Sequence, residues 1–282
     1  MIKLITGLLM GTILTLAVTT FLFEGKRNAA SVDGSVQGAA EERILLAPNT
    51  PRGQRGEGFG WALKGEGYEL SADWFSEKAP AWEVALAPFK GKPGVQYLEV
   101  GVYEGMSVSW MLENILTDPT SQVTAVDIFF GTEAESVNGF SQDLRERFLR
   151  NVERAGGADR IRVVTDFSQL ALRTLPLNHY DIIYIDGSHM APDVLEDAIL
   201  AFRLLKKNGV LIFDDYRWLM KRPIMDRPKY ALDQFVEFYG DQFDYLHNGA
   251  QLILRRNELD FVSTGMGADR ADTGVPSMLL AE

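Results

Sequence analysis

Between Trp61 and Arg256, short apolar runs alternate with stretches of helical period. The runs Val95 to Val100, Val123 to Ile128, Ile161 to Val164, Ile182 to Ile185 and Val210 to Phe213 are rich in β-branched residues and nearly continuously apolar, as strands covered on both faces are. Helices are predicted between them at Met106 to Leu116, Gln142 to Arg154, Gln169 to Thr174 and Pro192 to Leu205. The last of these has Val194, Leu195, Ala198, Ile199, Ala201, Phe202 and Leu205 at helical spacing, and Asn208-Gly209 is expected to stop it. A further helix near Tyr230 to Tyr239 precedes Phe243 to Leu246 and Gln251 to Leu254, which flank His247-Asn248-Gly249 as a hairpin does. Strands alternating with helices predict an α/β domain, a doubly wound parallel sheet with helices on both faces, over residues 61–256.

The ends of the chain follow other patterns. Leu4 to Phe23 is an uncharged run of the length a helix needs to cross a bilayer, so residues 1–23 are expected to be an N-terminal membrane anchor, with a cleaved signal peptide and secretion as the alternative. Lys3 and the α-amine face Lys26 and Arg27 across it, a near tie for orientation. Residues 24–60 mix Gly, Ala, Ser, Pro and charge and are expected to be a flexible linker; residues 257–282 are expected to be a flexible tail.

Composition narrows the chemistry. A net charge of −11 repels a phosphate backbone, which excludes nucleic acid as the expected partner. With no cysteine, thiol nucleophiles and thiolate-held zinc are excluded, and any metal falls to Asp, Glu or His. Oligomeric state is not legible.

Four strand ends carry candidate chemistry. The first runs through Glu99-Val100-Gly101-Val102-Tyr103-Glu104-Gly105-Met106-Ser107 into a helix; Gly101 and Gly105 allow close backbone approach to a ligand, and the helix start supplies free N–H donors. The G-x-G-x-x-G triplet of a dinucleotide loop is not there. The second strand ends at Asp127, where this architecture places an acid for two ribose hydroxyls, or where an acid simply caps the next loop. Asp186 ends one later strand and Asp214-Asp215 another. Converging carboxylates repel unless something positive lies between them, and an oxygen-ligated divalent cation such as Mg²⁺ answers that need. His189 follows Asp186 in the same cleft; histidine titrates near neutral pH and serves as a general base, though it also caps helices or ligates metals. The basic and aromatic stretch from Tyr216 to Pro228 is expected to govern substrate choice. Trp74 and Phe75 are expected either to form a lid or to pack on the sheet edge.

The loop, in its E-x-G-x-x-x-G form, resembles that of class I S-adenosylmethionine-dependent methyltransferases, and EVGVYEGMS that of the catechol O-methyltransferase group. The stretch YDIIYIDGSHMAPDVLEDAILAFRLLKKNGVLIFDDY resembles metal-dependent O-methyltransferases of the caffeoyl-CoA and macrolide-sugar kinds, and most closely the methyltransferase 24 family. The resemblance spans about Trp74 to Arg256. It implies a Rossmann-like seven-stranded sheet whose last strand inserts antiparallel. It also implies S-adenosylmethionine as cofactor, held by Glu99, Gly101, Tyr103, Gly105, Ser107 and Asp127, with Ser168 and Gln169 near adenine, a place compatible with Ser168 also capping the next helix. Asp186, Asp214 and Asp215 are implied as metal ligands, with His189 and Asp186 catalytic. In the catechol enzymes an Asn and a Lys stand where this chain has Asp215 and His189.

The expected function is therefore methyl transfer to a small hydroxylated molecule, and a cytosolic cofactor would place the domain on the cytoplasmic side. Two alternatives stay open: an oxygenase like the cephalosporin hydroxylases on the same scaffold, and a cofactor-binding module without catalysis. The intact acids Asp127, Asp186, Asp214 and Asp215 argue against the latter.

Overall fold

A computed structural model describes residues 60–130, 142–218 and 220–259. Its centre is one seven-stranded sheet in the order β3-β2-β1-β4-β5-β7-β6. The strands are β1 (Gln96–Val100), β2 (Gln122–Val126), β3 (Ile161–Val164), β4 (Tyr180–Ile185), β5 (Leu205–Phe213), β6 (Phe243–Asn248) and β7 (Leu252–Arg256). The first five pair in parallel, and β7 lies antiparallel between β5 and β6. The inner strands read as apolar runs because helices cover both faces: Tyr97, Ile182, Tyr184 and Ile212 point into one core, and Leu98, Ile183, Leu211 and Phe213 into the other.

The helices are α1 (Ala79–Ala85), α2 (Met106–Asn114), α3 (Gln142–Arg154), α4 (Ser168–Ala171), α5 (Ala191–Leu204) and α6 (Pro228–Tyr239). Helix α5 ends at Leu204, four residues before the expected Asn208-Gly209 stop. Those two residues instead lie within β5, where the register against β4 jumps between Tyr180 and Ile182 and Asn208 takes φ 63°. The pair thus serves an irregularity in the strand, for the same conformational reason that suits it to a helix end.

Helix α1 and the 3₁₀ turn Ser76–Lys78 before it carry no sequence expectation. They are held by aromatic packing: Phe75 and Trp82 are buried, and Trp82 meets Phe75, Trp110 and Tyr184 edge-on at 4.9, 5.9 and 4.7 Å. Phe75 is therefore a core residue, whereas Trp74 is 57% exposed and lies against Tyr103.

The expected localisation at a membrane is not upheld. Among the described residues no helix is long and apolar enough to cross a membrane. The longest, α5, has 14 residues, whereas a span needs about 20. The anchor at 1–23, most of the linker at 24–60 and most of the tail at 257–282 lie outside the described residues.

Candidate active site

Because β1 pairs with both β2 and β4, and β4 with β5, the carboxyl ends of these four strands form one edge. In open α/β sheets ligands bind at that edge, near the reversal of strand order. Backbone conformations that side chains rarely adopt gather there: Tyr103 (φ 45°), Phe129 (φ 51°) and Asp215 (φ 51°) follow β1, β2 and β5.

Gly101 and Gly105 have φ of 82° and 79°. A Cβ on Gly101 would lie 2.0 Å from the Asp186 carbonyl oxygen, and one on Gly105 2.7 Å from the Phe148 ring. Both glycines thus permit close packing of the loop, and Gly101 presses it directly on the end of β4. Asp127 closes the loop from β2: its Oδ2 accepts from the backbone N–H of Val102 and Tyr103 at 2.8 and 2.9 Å, and Oδ1 from that of Phe129 at 2.6 Å. Burial raises its carboxyl against the pull of these donors. The helix that follows, α2, starts without a side-chain cap, which leaves its first turn suited to a polar ligand.

Other expected cofactor residues are placed differently. Glu99 is wholly buried, accepting from the Tyr97 hydroxyl at 2.5 Å and from the Ser107 hydroxyl, so these residues tie β1 to α2 from within. Burial pushes the Glu99 carboxyl up to about 8. Tyr103 shares a 3.0 Å hydroxyl contact with Ser71, and its ring lies 5.1 Å from that of Trp74. Ser168 is the first residue of α4, and its hydroxyl donates to Asp197 Oδ2 at 3.0 Å, with no side-chain cap on that helix. Gln169 is half-buried in the same turn.

Asp214 is buried and surrounded by donors: Lys78 Nζ and the Tyr184 hydroxyl (2.6 Å) on Oδ2, the Asp215 N–H (2.8 Å) and Gln251 Nε2 (3.2 Å) on Oδ1. Although burial acts to raise it, Lys78 and these hydrogen bonds hold Asp214 below the usual carboxylate range. Asp186 goes the other way, raised by burial and by Asp214. Asp186, His189 and Asp215 each present a ligand atom within 4.8 Å of the others. His189 Nε2 is 2.8 Å from Asp215 Oδ2 and 4.0 Å from Asp186 Oδ1, and the Trp218 ring lies 4.8 Å from the imidazole. Asp186, His189 and Asp214 line one small cleft together with Ile185, Phe213 and Pro228.

The structure thus brings Asp186, His189 and Asp215 together, and Asp214 stands beside Asp186, both within reach of the Tyr184 hydroxyl at 2.6 and 2.7 Å, while paired with Lys78. The carboxylates of Asp186 and Asp215 fit a hard divalent cation, which accepts one or two carboxylates with water and substrate oxygens completing its shell. The positive charge that converging acids require is partly supplied by the chain itself, through Lys78. Sequence reasoning missed Lys78, Tyr184 and Gln251. Tyr184 stands two residues before Asp186, hence on the same side of β4, a legible signal; Lys78 lies 136 residues from Asp214 and left none.

Residues 98–216 match the family model described as a methyltransferase domain. An uncharacterized protein, R132, of Acanthamoeba polyphaga mimivirus is 28% identical over 130 residues, 45% of this chain, and the match spans 55% of that protein's length. A putative O-methyltransferase from Klebsiella pneumoniae shares the fold at a TM-score of 0.50 and 16% identity, over 67% of this chain and 83% of that one. The O-methyltransferase from Bacillus cereus in complex with SAH gives 0.48 and 15%, over 67% and 83%. The strand order and the loop after β1 agree with this match, and residues 98–216 are those of the methyltransferase domain that the family model describes.

Proposed function

We propose that the chain methylates a hydroxyl oxygen of a small, ring-containing acceptor, with His189 as the base and a divalent cation on Asp186 and Asp215. The observation that carries this reading is the 2.8 Å contact of His189 Nε2 with Asp215 Oδ2, beside Asp186 and next to Gly101 of the cofactor loop. An N–H shared with a carboxylate orients the imidazole and leaves the lone pair on Nδ1. That nitrogen takes the hydroxyl proton as the oxygen attacks, and Asp215 stabilises the resulting imidazolium. The cofactor supplies an activated methyl group, and the cation, when bound, supplies added acidity at the hydroxyl. The loop after β1 holds the donor, and the ends of β4 and β5 hold the acceptor, so the two meet across one strand boundary. Trp218, 47% exposed and against the imidazole, offers a flat wall to a phenolic or sugar ring.

The test is a screen of the full chain against phenols, sugars and polyketides with radiolabelled methyl donor, with and without chelator. Label is expected to reach a hydroxyl oxygen in a His189-dependent manner. Undiminished transfer by His189→Ala would sink the role given to that residue, and transfer to carbon or nitrogen alone would sink the reaction class.

A further inference from the structure

We infer that Lys78 is an internal cation that keeps Asp214 out of the metal-binding set and holds down the affinity of the acid cluster for a divalent ion. This rests on the reading that Asp186 and Asp215 take such an ion. Lys78 Nζ sits on Asp214 Oδ2, with its side chain 19% exposed. Together with Gln251 and the Asp215 N–H it gives Asp214 three donors, and the Tyr184 hydroxyl, in reach of both Asp214 and Asp186, has one proton for the two. Asp214 thereby has its charge compensated by Lys78, whereas Asp215, next in the chain, turns through φ 51° toward His189.

The ammonium is delivered by a fixed scaffold. Lys78 ends the 3₁₀ turn that leads into α1. One turn on, Trp82 donates to Gln251 Oε1 at 2.8 Å while Gln251 Nε2 reaches Asp214. The same α1 segment therefore grips Asp214 twice, once by charge and once through Gln251. A fixed unit charge beside a cation site repels a second cation. Lys78 also lies outside the residues that match the family model, 98–216, so the feature is supplied to the domain by the preceding segment. Lys78 is a positioning residue by this argument, acting through Asp214.

Titration of Mn²⁺ into the full chain, followed by electron paramagnetic resonance without cofactor or acceptor, tests this. K78M is expected to bind Mn²⁺ at least about tenfold more tightly than the parent, and K78R within about threefold of it. The double variant K78M/D214N leaves no uncompensated buried carboxylate, so it remains informative if K78M folds poorly; it is expected within about threefold of the parent. Loss of binding in the double variant would show Asp214 to be a ligand and overturn the inference. Unchanged or weaker binding by a folded K78M would overturn it while leaving the cation on Asp186 and Asp215. No binding by any variant would overturn both. Binding by K78M where the parent binds none would support the inference and remove the parent's metal dependence.

Discussion

At the scale of single residues, proton handling is divided among groups whose surroundings differ. His189 touches Asp215 and Trp218, and His189→Ala is expected to lower kcat at least about 100-fold while calorimetry shows cofactor affinity unchanged. Trp218→Ala is expected to raise the acceptor KM several-fold with a smaller effect on kcat, since the ring forms a wall rather than reacting. Two buried carboxyls outside this chemistry set a pH dependence of stability. Burial raises Asp197 from 3.8 to about 7 and Glu99 from 4.5 to about 8. Both protons are held more tightly folded than unfolded, so this stability is complete below about pH 4 and is lost as pH rises through 7 to 8. Asp197 also has a buried Oδ1 without a partner among the described residues. Asp197→Asn is expected to flatten that slope and to stabilise the protein above pH 8 by on the order of 2–4 kcal/mol, read from urea unfolding at several pH values.

At the scale of elements, two contacts decide whether the site exists. The loop after β1 can approach β4 only because Gly101 has no Cβ, its φ is 82°, and the nearest obstacle is backbone. Gly101→Ala is expected to cost at least about 3 kcal/mol in chemical denaturation and to weaken S-adenosylmethionine binding in the same sample, because relief of the clash parts the donor loop from Asp186. The segment carrying Lys78 is fastened chiefly by Trp82, buried against Phe75, Trp110 and Tyr184. Trp82→Ala is expected to cost about 3–5 kcal/mol. A strand such as β2 or β4 announces itself because it must be apolar on both faces, and α5 because one side of it is apolar. Helix α1 has only seven residues and is held by ring packing with distant partners, so no periodicity exposes it.

At the scale of the whole molecule, the parallel sheet gathers the chemistry at one edge. Residues from Lys78, the β1 loop, β4, β5 and the β6–β7 hairpin converge there although they span positions 78 to 251. Chelation of the full chain is expected to lower transfer at least about tenfold, with recovery on adding Mg²⁺; full activity in chelator would place the burden on His189 and Asp215 alone. The net charge of −11 does not decide the surroundings of each acid; local pairing does, Asp214 meeting Lys78 and Asp215 meeting His189.

The amino-acid sequence by itself determined the alternating α/β order, the position of the glycine loop after β1 and the arrival of Asp186, Asp214 and Asp215 at strand ends, because burial on both faces and loop conformation leave local signatures. Tertiary structure alone decided that Glu99 and Ser107 bond each other inside the core and that Ser168 binds Asp197. It alone also decided that Lys78 pairs with Asp214 and that Asp186, His189 and Asp215 come together. These depend on where a side chain's partner lies in space, and a partner 136 residues away imposes no pattern on the residues beside it.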